Sequence, residues 1–462
     1  MKTTRHPRLA ATLAALVTLP FALSLPGRGA TNAPPIAWPD HPLSVVDCLN
    51  LAESQNGTIA SARKELEASE GVVIQTRAIL LPKAQITGDF RGTEEDSIES
   101  ASTPFGTIKF GQTESWETGV RLVQSLYEGG RMASARRSMQ LTRDAAINGF
   151  QTTLLDAFLE VRLAYYNALL ALEQVGVQEA SVRLLERELL DNQRRFDAGS
   201  VPRFNVLRAE VELANAKPRL IRARNAWRNG KTYLASLLGY RVANIITEDI
   251  PLQLADKLET TPFEIELGRA LTLAQERRTE LKSLRLGEQL RREGVVNARA
   301  GYRPSVQAFA GYGIRRSQFG SEIDNELHGW TAGVQASWNI FDGQLTRGRV
   351  VEANARHEQS EIEFDNAARQ ISVEVRTAYS NFSEAREVLE SQVKVLEQAT
   401  EALRLATARS EAGSGTQLDV LGAQTALTEA RTTQNLGRRD YLVALAKLQR
   451  AVGQKVETRS KE

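Results

Sequence analysis

A single cysteine, Cys48, in 462 residues leaves no possibility of an intrachain disulfide. Histidine is equally scarce. The four present, His6, His41, His328 and His357, stand apart from one another and from the cysteine, so no metal-ligand spacing can be read and neither a metal nor another cofactor is expected. There is no glycine-rich phosphate loop, and the many Glu and Asp residues lie mainly on helical faces among Lys and Arg, where solvated pairs account for them. Nothing points to an enzyme. Aromatic residues make up only 6% of the chain, mean hydropathy is −0.32, and beyond the first thirty residues no apolar run reaches the length of about 18 that a transmembrane helix needs. If the chain crosses a membrane, it must do so with strands.

The start of the chain is different. Lys2, Arg5 and Arg8 precede the apolar run "LAATLAALVTLPFALSLPG" and small residues follow, which reads as a secretory signal spanning residues 1–30. Against 56 acidic residues the chain carries 58 basic ones, and loss of Lys2, Arg5, Arg8 and Arg28 with the signal shifts the balance to about minus two. No polyanion is implied, so no nucleic acid is expected as a partner.

Two pairs of short segments carry a period of two. In "LHGWTAGVQASWNIFDG", Trp330, Val334 and Trp338 share one side with Ala332, Ala336 and Ile340, while Thr331, Gln335 and Asn339 take the other. "SVQAFAGYGIRRS" puts Val306 and Tyr312 in one phase. Upstream, Ile86 and Phe90 in "AQITGDF", and Trp116, Val120, Leu122 and Leu126 further on, take the same apolar phase. Ile86, Phe90, Trp116, Val120, Leu122, Val306, Tyr312, Trp330, Val334 and Trp338 are expected to face lipid. Hairpins are accordingly expected over 84–126 and 305–341.

The chain is also written twice. A shift of 214 positions lays "EVRLAYYN" (160–167) on "EVRTAYSN" (374–381), and without a gap "DAGSVPRFNVLRAEVELANA" (197–216) on "EAGSGTQLDVLGAQTALTEA" (411–430). Upstream of the strands the shift becomes 222, the difference lying in a longer first-copy loop, "TEEDSIESASTPFGTIKFGQTE". The copies span residues 31–240 and 263–454, with a mid-height linker at 241–262 and a short tail at 455–462. From 131 to 198 no proline intervenes, giving a helix about 100 Å long, in which Leu154, Phe158, Val161, Tyr165, Ala168, Leu172 and Val175 recur at alternating steps of four and three and Val182, Leu189 and Phe196 continue the phase of a coiled-coil seam. Helices over 202–238 and 263–300, placed end to end, match that length. Ala209, Ala216, Ala223 and Gly230, like Ala423, Ala430, Gly437 and Ala444, give a helix face that a neighbour can approach closely.

Four strands cannot close a barrel alone, because transmembrane barrels begin at eight and open edges are not tolerated in lipid. Several chains are therefore expected to share one. The ordered set "SVVDCLNLAE", "LYEGG", "IFDGQ" and the paired "AGSVPRFNVLRAE" and "AGSGTQLDVLGAQ" resembles the TolC family of outer-membrane efflux proteins over most of the mature chain. The resemblance implies a mainly α chain with a membrane β-barrel. Its tandem-repeat, long coiled-coil helices would form a periplasmic α-barrel, and four strands from each chain would complete a 12-strand barrel in a homotrimer. It further implies an exit duct in the outer membrane of a Gram-negative bacterium for small molecules or, in type I secretion, polypeptides. The implied partners are outer-membrane lipid, a periplasmic adaptor and an inner-membrane ABC or proton-driven transporter. A structural or adhesive coiled-coil stalk is the alternative.

By the same analogy, adaptor contacts are expected at the helical turns, at Gly199, Ser200, Val206, Gly413, Ser414 and Val420. Asp419, with Asn205 as its first-repeat equivalent, is the expected periplasmic gate. Thr416 followed by Asp419 also has the spacing of a helix capping box. The family's usual Asn-Pro is here Asn56-Gly57.

Overall fold

A computed structural model describes residues 38–104, 106–109, 113–240, 249–316 and 326–454. The chain divides after Trp38, and the architecture that follows belongs to Pro39–Glu462. The expected signal, the first part of the expected linker and the tail at 455–462 lie outside the described residues.

Helices dominate. The first half contains α1 (Val45–Gln55), α2 (Gly57–Arg77), β1 (Lys83–Gly92), β2 (Ser100–Thr103), β3 (Gly106–Lys109), β4 (Glu114–Glu128), α3 (Arg131–Asp197) and α4 (Arg203–Leu237). The second contains α5 (Leu267–Arg277), α6 (Thr279–Arg299), β5 (Ser305–Arg316), β6 (Glu326–Ser337), α7 (Leu345–Glu411) and α8 (Gln417–Val452). The small β2–β3 hairpin occupies the long loop that distinguishes the first copy.

Helices α3 and α7 are each 67 residues long and unbroken, about 100 Å at 1.5 Å per residue. Gly149 and Gly176 interrupt neither the helix nor its packing, since a Cβ at either would meet nothing. The expected seam faces inward: Phe158, Val161, Tyr165 and Ala168 are buried, and Val182 continues the stripe. Toward the far end it loosens, and Phe196 is 37% exposed.

The short helices stack, but not in the expected pairs. The end of α4 meets the start of α2, and the end of α8 meets the start of α6, so each column joins the start and end of one repeat; α3 packs against both columns, and α7 against α5, α6 and α8. At the first joint Asn56 breaks the helix with extended backbone (φ −62°, ψ 128°), and its Oδ1 accepts from the N–H groups of Thr58 and Ile59 at 2.8 and 3.1 Å. Its Nδ2 donates to Leu237 O at 2.6 Å, tying α2 to the end of α4. At the second joint Arg278 takes the same backbone (φ −58°, ψ 121°), so the expected helix over 263–300 is two helices, α5 and α6. Only glycine fits against these breaks. Gly239 (φ +89°) and Gly453 (φ +73°) end the opposing helices in the left-handed region, and a Cβ on them would lie 2.4 Å from Gln55 O and 3.1 Å from Arg277.

Below the joint a strap grips the first column. Leu43 pairs with Leu254 in a parallel bridge, exchanging 2.9 Å backbone hydrogen bonds with Gln253 and Ala255. The Tyr165 hydroxyl lies 2.8 Å from Asp256 Oδ2 and 3.0 Å from Leu43 O, and burial, followed by that carboxylate, pushes it above the usual tyrosine range. Cys48 is fully buried nearby, and burial pushes its thiol up to about 12, which leaves it a packing residue.

Candidate functional site

Strands β1, β4, β5 and β6 form one antiparallel sheet in that order, built from two hairpins joined along β4 and β5. Residues directly opposite one another across an antiparallel pair share a face, so the register decides which side chains stand together. Ile86 lies opposite Val120, Phe90 opposite Trp116, Val120 opposite Tyr312, and Tyr312 opposite Trp330. Leu122 meets Ala310, Ala308 meets Val334, and Val306 meets Ala336. Nine of the expected lipid-facing residues therefore occupy a single face across all four strands. Exposure of 71% at Phe90, 77% at Ile86 and 78% at Trp330 leaves this face uncovered by the chain's own helices.

Two details differ from the expected hairpins. A bulge between Ser125 and Tyr127 shifts the register, so Tyr127 rather than Leu126 stands opposite Val306. Strand β6 ends at Ser337, which puts Trp338 just past it; its indole N–H donates to Tyr302 O at 3.1 Å while the ring stays exposed. The backbone turns there toward α7, and strand pairing stops.

The reverse face is polar, carrying Gln85, Thr87, Asp89, Glu117, Arg121, Gln307, Arg315, Thr331 and Gln335. Val123 and Leu327 are apolar exceptions on this face, and Phe309 is the largest. Its ring lies beneath the Arg121 guanidinium, 4.9 Å from its centroid, and over Gly333, where a Cβ would come within 2.9 Å. Phe309 is out of phase with Val306 and Tyr312, and the glycine that receives it is on another strand. Such a ribbon can present hydrocarbon with one surface and water with the other.

The opposite end of the helices is narrower in its chemistry. Helix α3 ends at Gly199 (φ +72°) and α7 at Gly413 (φ +74°), each turning the chain back into a returning helix. Gly199, Ser200, Gly413 and Ser414 are exposed. Val206 and Val420 are not: both are buried to 5% and pack inside the turn, so they offer no side-chain surface to a partner. Thr416 and Asp419 form a complete capping box. Asp419 Oδ2 accepts from Thr416 N at 3.0 Å and Thr416 Oγ1 at 2.7 Å, while Asp419 N–H donates to Thr416 Oγ1 at 3.2 Å. These hydrogen bonds, then the Arg409 charge, hold the carboxyl below the usual aspartate range. The side chain is exposed and ionised, at a helix N-terminus that favours negative charge. Asn205, its counterpart, is half-buried, and its N–H donates to Pro202 O at 3.0 Å.

Between sheet and turns, the second joint holds charge. Arg278 donates to Glu374 at 2.9 and 3.0 Å and to Glu280 at 3.1 Å, and reaches Arg450 O and Ala451 O at 3.4 and 3.3 Å. Arg450 pairs with Asp156 of α3 at 2.6 Å and with Glu280 at 2.5 Å. Burial acts to raise Glu280, but hydrogen bonding and charge from Arg450, with Arg278, outweigh it and leave the carboxyl below its usual range. This network was missed in the sequence, where its members look like ordinary helical surface charges.

No helix among the described residues is long and apolar enough to cross a membrane. The family model described as outer membrane efflux protein matches residues 48–240 and 270–454. The alkaline protease secretion protein AprF of Pseudomonas aeruginosa is 26% identical over 418 residues, covering 88% of this chain and 83% of the relative. Outer membrane protein TolC of Vibrio cholerae is 21% identical, covering 89% and 90%. Among solved structures, the outer membrane protein VceC of Vibrio cholerae superposes with a TM-score of 0.71 at 18% identity, covering 89% of this chain and 97% of that one. With residues 48–240 and 270–454 matched and the fold shared, the chain belongs to the outer membrane efflux protein family.

Proposed function

We propose that three copies of this chain close a 12-strand barrel in the outer membrane, continued by a helical tunnel in the periplasm, and that the assembly is a passive exit duct for export. The observation that carries this reading is the four-stranded sheet, with one continuous apolar face and two unpaired outer edges, β1 and β6. Unpaired backbone is costly in hydrocarbon, and pairing β6 of one copy with β1 of the next satisfies both edges. Two copies would give eight strands, a barrel filled by side chains. The two repeats, 31–240 and 263–454, with the linker 241–262 between them, supply each copy's pair of hairpins and long helices.

The long helices and the absence of a nucleotide-binding loop favour a duct driven by partners, an inner-membrane ABC or proton-driven transporter and a periplasmic adaptor that docks on the turns at Gly199, Ser200, Gly413 and Ser414. AprF is named for protease secretion and the Cupriavidus metallidurans relative CzcC for cobalt, zinc and cadmium resistance, so cargo varies within the likeness. Threefold symmetry would bring three Asp419 carboxylates, with Asn205 beside them, to one constriction. Capping is the observed role of Asp419, and gating is the proposed one.

Planar-bilayer recordings of the detergent-solubilised protein test the duct. Stepwise conductance is expected, and failure to conduct would favour a structural or adhesive stalk. A mass measurement on the same complex is expected to give three subunits. Replacing Asp419 with Asn is expected to reduce cation selectivity and block by divalent ions; unchanged recordings from an equally stable trimer would restrict the residue to capping.

A further inference from the structure

Helices α6 and α7 run side by side between the charged joint at Arg278 and the sheet. One ring nitrogen of His357 and one carboxylate oxygen from each of Glu288 and Glu361 converge there, all within 4.8 Å of one another. His357 and Glu361 are four residues apart on α7 and therefore share a face, while Glu288 comes from α6. The pattern is invisible in sequence, because the third donor is 69 residues away on another helix.

The contacts within the group do not explain it. His357 Nδ1 lies 3.7 Å from Glu361 Oε1, longer than a hydrogen bond. His357 Nε2 is buried and has no hydrogen-bond partner among the described residues. A buried imidazole nitrogen without a partner is uncommon, and Nδ1 is the ring nitrogen that faces Glu361. Of the cations on these two helices, Arg285 stacks on Phe364, 5.0 Å from the ring centroid, and Arg356 pairs with Glu352 at 2.6 Å. With a neutral imidazole the three donors carry two negative charges, which a divalent ion would balance.

We propose that Glu288, His357 and Glu361 bind a divalent transition-metal ion that ties α7 to α6. Imidazole with carboxylates suits zinc, cobalt or nickel better than magnesium or calcium, which prefer all-oxygen sites. Three protein donors leave one position for water in a tetrahedral site, and the exposed Glu361 gives the ion access. The site holds the two helices that descend from the second hairpin, and it stands independently of cargo and of oligomeric state.

The test is a Co²⁺ titration of the full-length, untagged protein in detergent after chelator treatment, followed by visible absorption. Saturable binding of one Co²⁺ per chain is expected, with ligand-field bands that Zn²⁺ abolishes. His357→Ala and Glu288→Gln are each expected to weaken binding by at least about tenfold, the scale on which a disturbed metal shell shows itself. Circular dichroism and mass confirm folding and assembly. If either variant fails to fold, Glu361→Gln decides the matter by the same titration. Absence of saturable binding to the wild type, or variants that titrate like it, overturns the proposal.

Discussion

The two column joints have the same backbone and opposite chemistry. Asn56 and Arg278 break their helices at nearly identical angles, each against a left-handed glycine, yet one joint is closed by a neutral amide and the other by a buried guanidinium among carboxylates. What both copies keep is the break itself, and what they vary is how the freed polar groups are satisfied. At the first joint one side chain suffices, because Asn56 caps α2 and reaches Leu237 O. At the second, Arg278 reaches the corresponding carbonyl of Ala451 but must then be neutralised, and Glu280, Glu374, Arg450 and Asp156 follow from that choice. One joint is local, whereas the other spans four helices.

Removing the guanidinium should have the largest effect. Arg278→Ala leaves Glu280 short of a partner inside the joint, a change worth about 3 kcal/mol, reduced from the fully buried case because Glu374 reaches solvent. Denaturant unfolding in detergent should show it, and an effect no greater than that of an exposed ion pair would remove the distinction between the joints. Gly239→Ala should cost about 2 kcal/mol and exceed Gly453→Ala, since the added Cβ would meet Gln55 O at 2.4 Å in the first joint and Arg277 at 3.1 Å in the second. Equal losses would mean that positive φ alone, and not close approach, fixes these glycines.

Asn56→Ala should cost about 1 kcal/mol, the range of a lost N-cap, and Asn56→Asp should restore the cap to α2 but not the bond to Leu237 O. Acid should separate the joints most finely. The folded-state pKa of Glu280 is lowered from an ordinary 4.5, so its contribution is present above that value and lost as pH falls through the folded one. Melting followed from pH 7 downward should show a loss beginning below about pH 4.5, diminished in Glu280→Gln and unchanged in Asn56→Ala.

Much of this was legible in the residues. The 214-position register, the proline-free stretch from 131 and the period-two segments specified two 67-residue helices and two hairpins, because each signal is local and repeats with the geometry of its own element. Thr416 and Asp419 announced their cap at three-residue spacing. Placement was less accessible. The end-to-end pairing of short helices was misread because helix length constrains which columns fit, whereas the actual partners are set by Asn56 and Leu237, 181 residues apart. Val206 and Val420 looked like tip surface because they are close in sequence to exposed glycines, and the helical turn points them inward.

The sequence by itself determined the long helices, the two hairpins and the alternation of each strand, since these depend on neighbours within a few residues. Only the tertiary structure decided that four apolar strand faces merge into one, that Arg278 rather than a second Asn closes the other joint, and that Glu288 meets His357 and Glu361. Those outcomes depend on register between segments far apart in the chain, and a change of one residue in a strand's pairing, or about 100° of rotation in a helix, would send the same side chains to the opposite side.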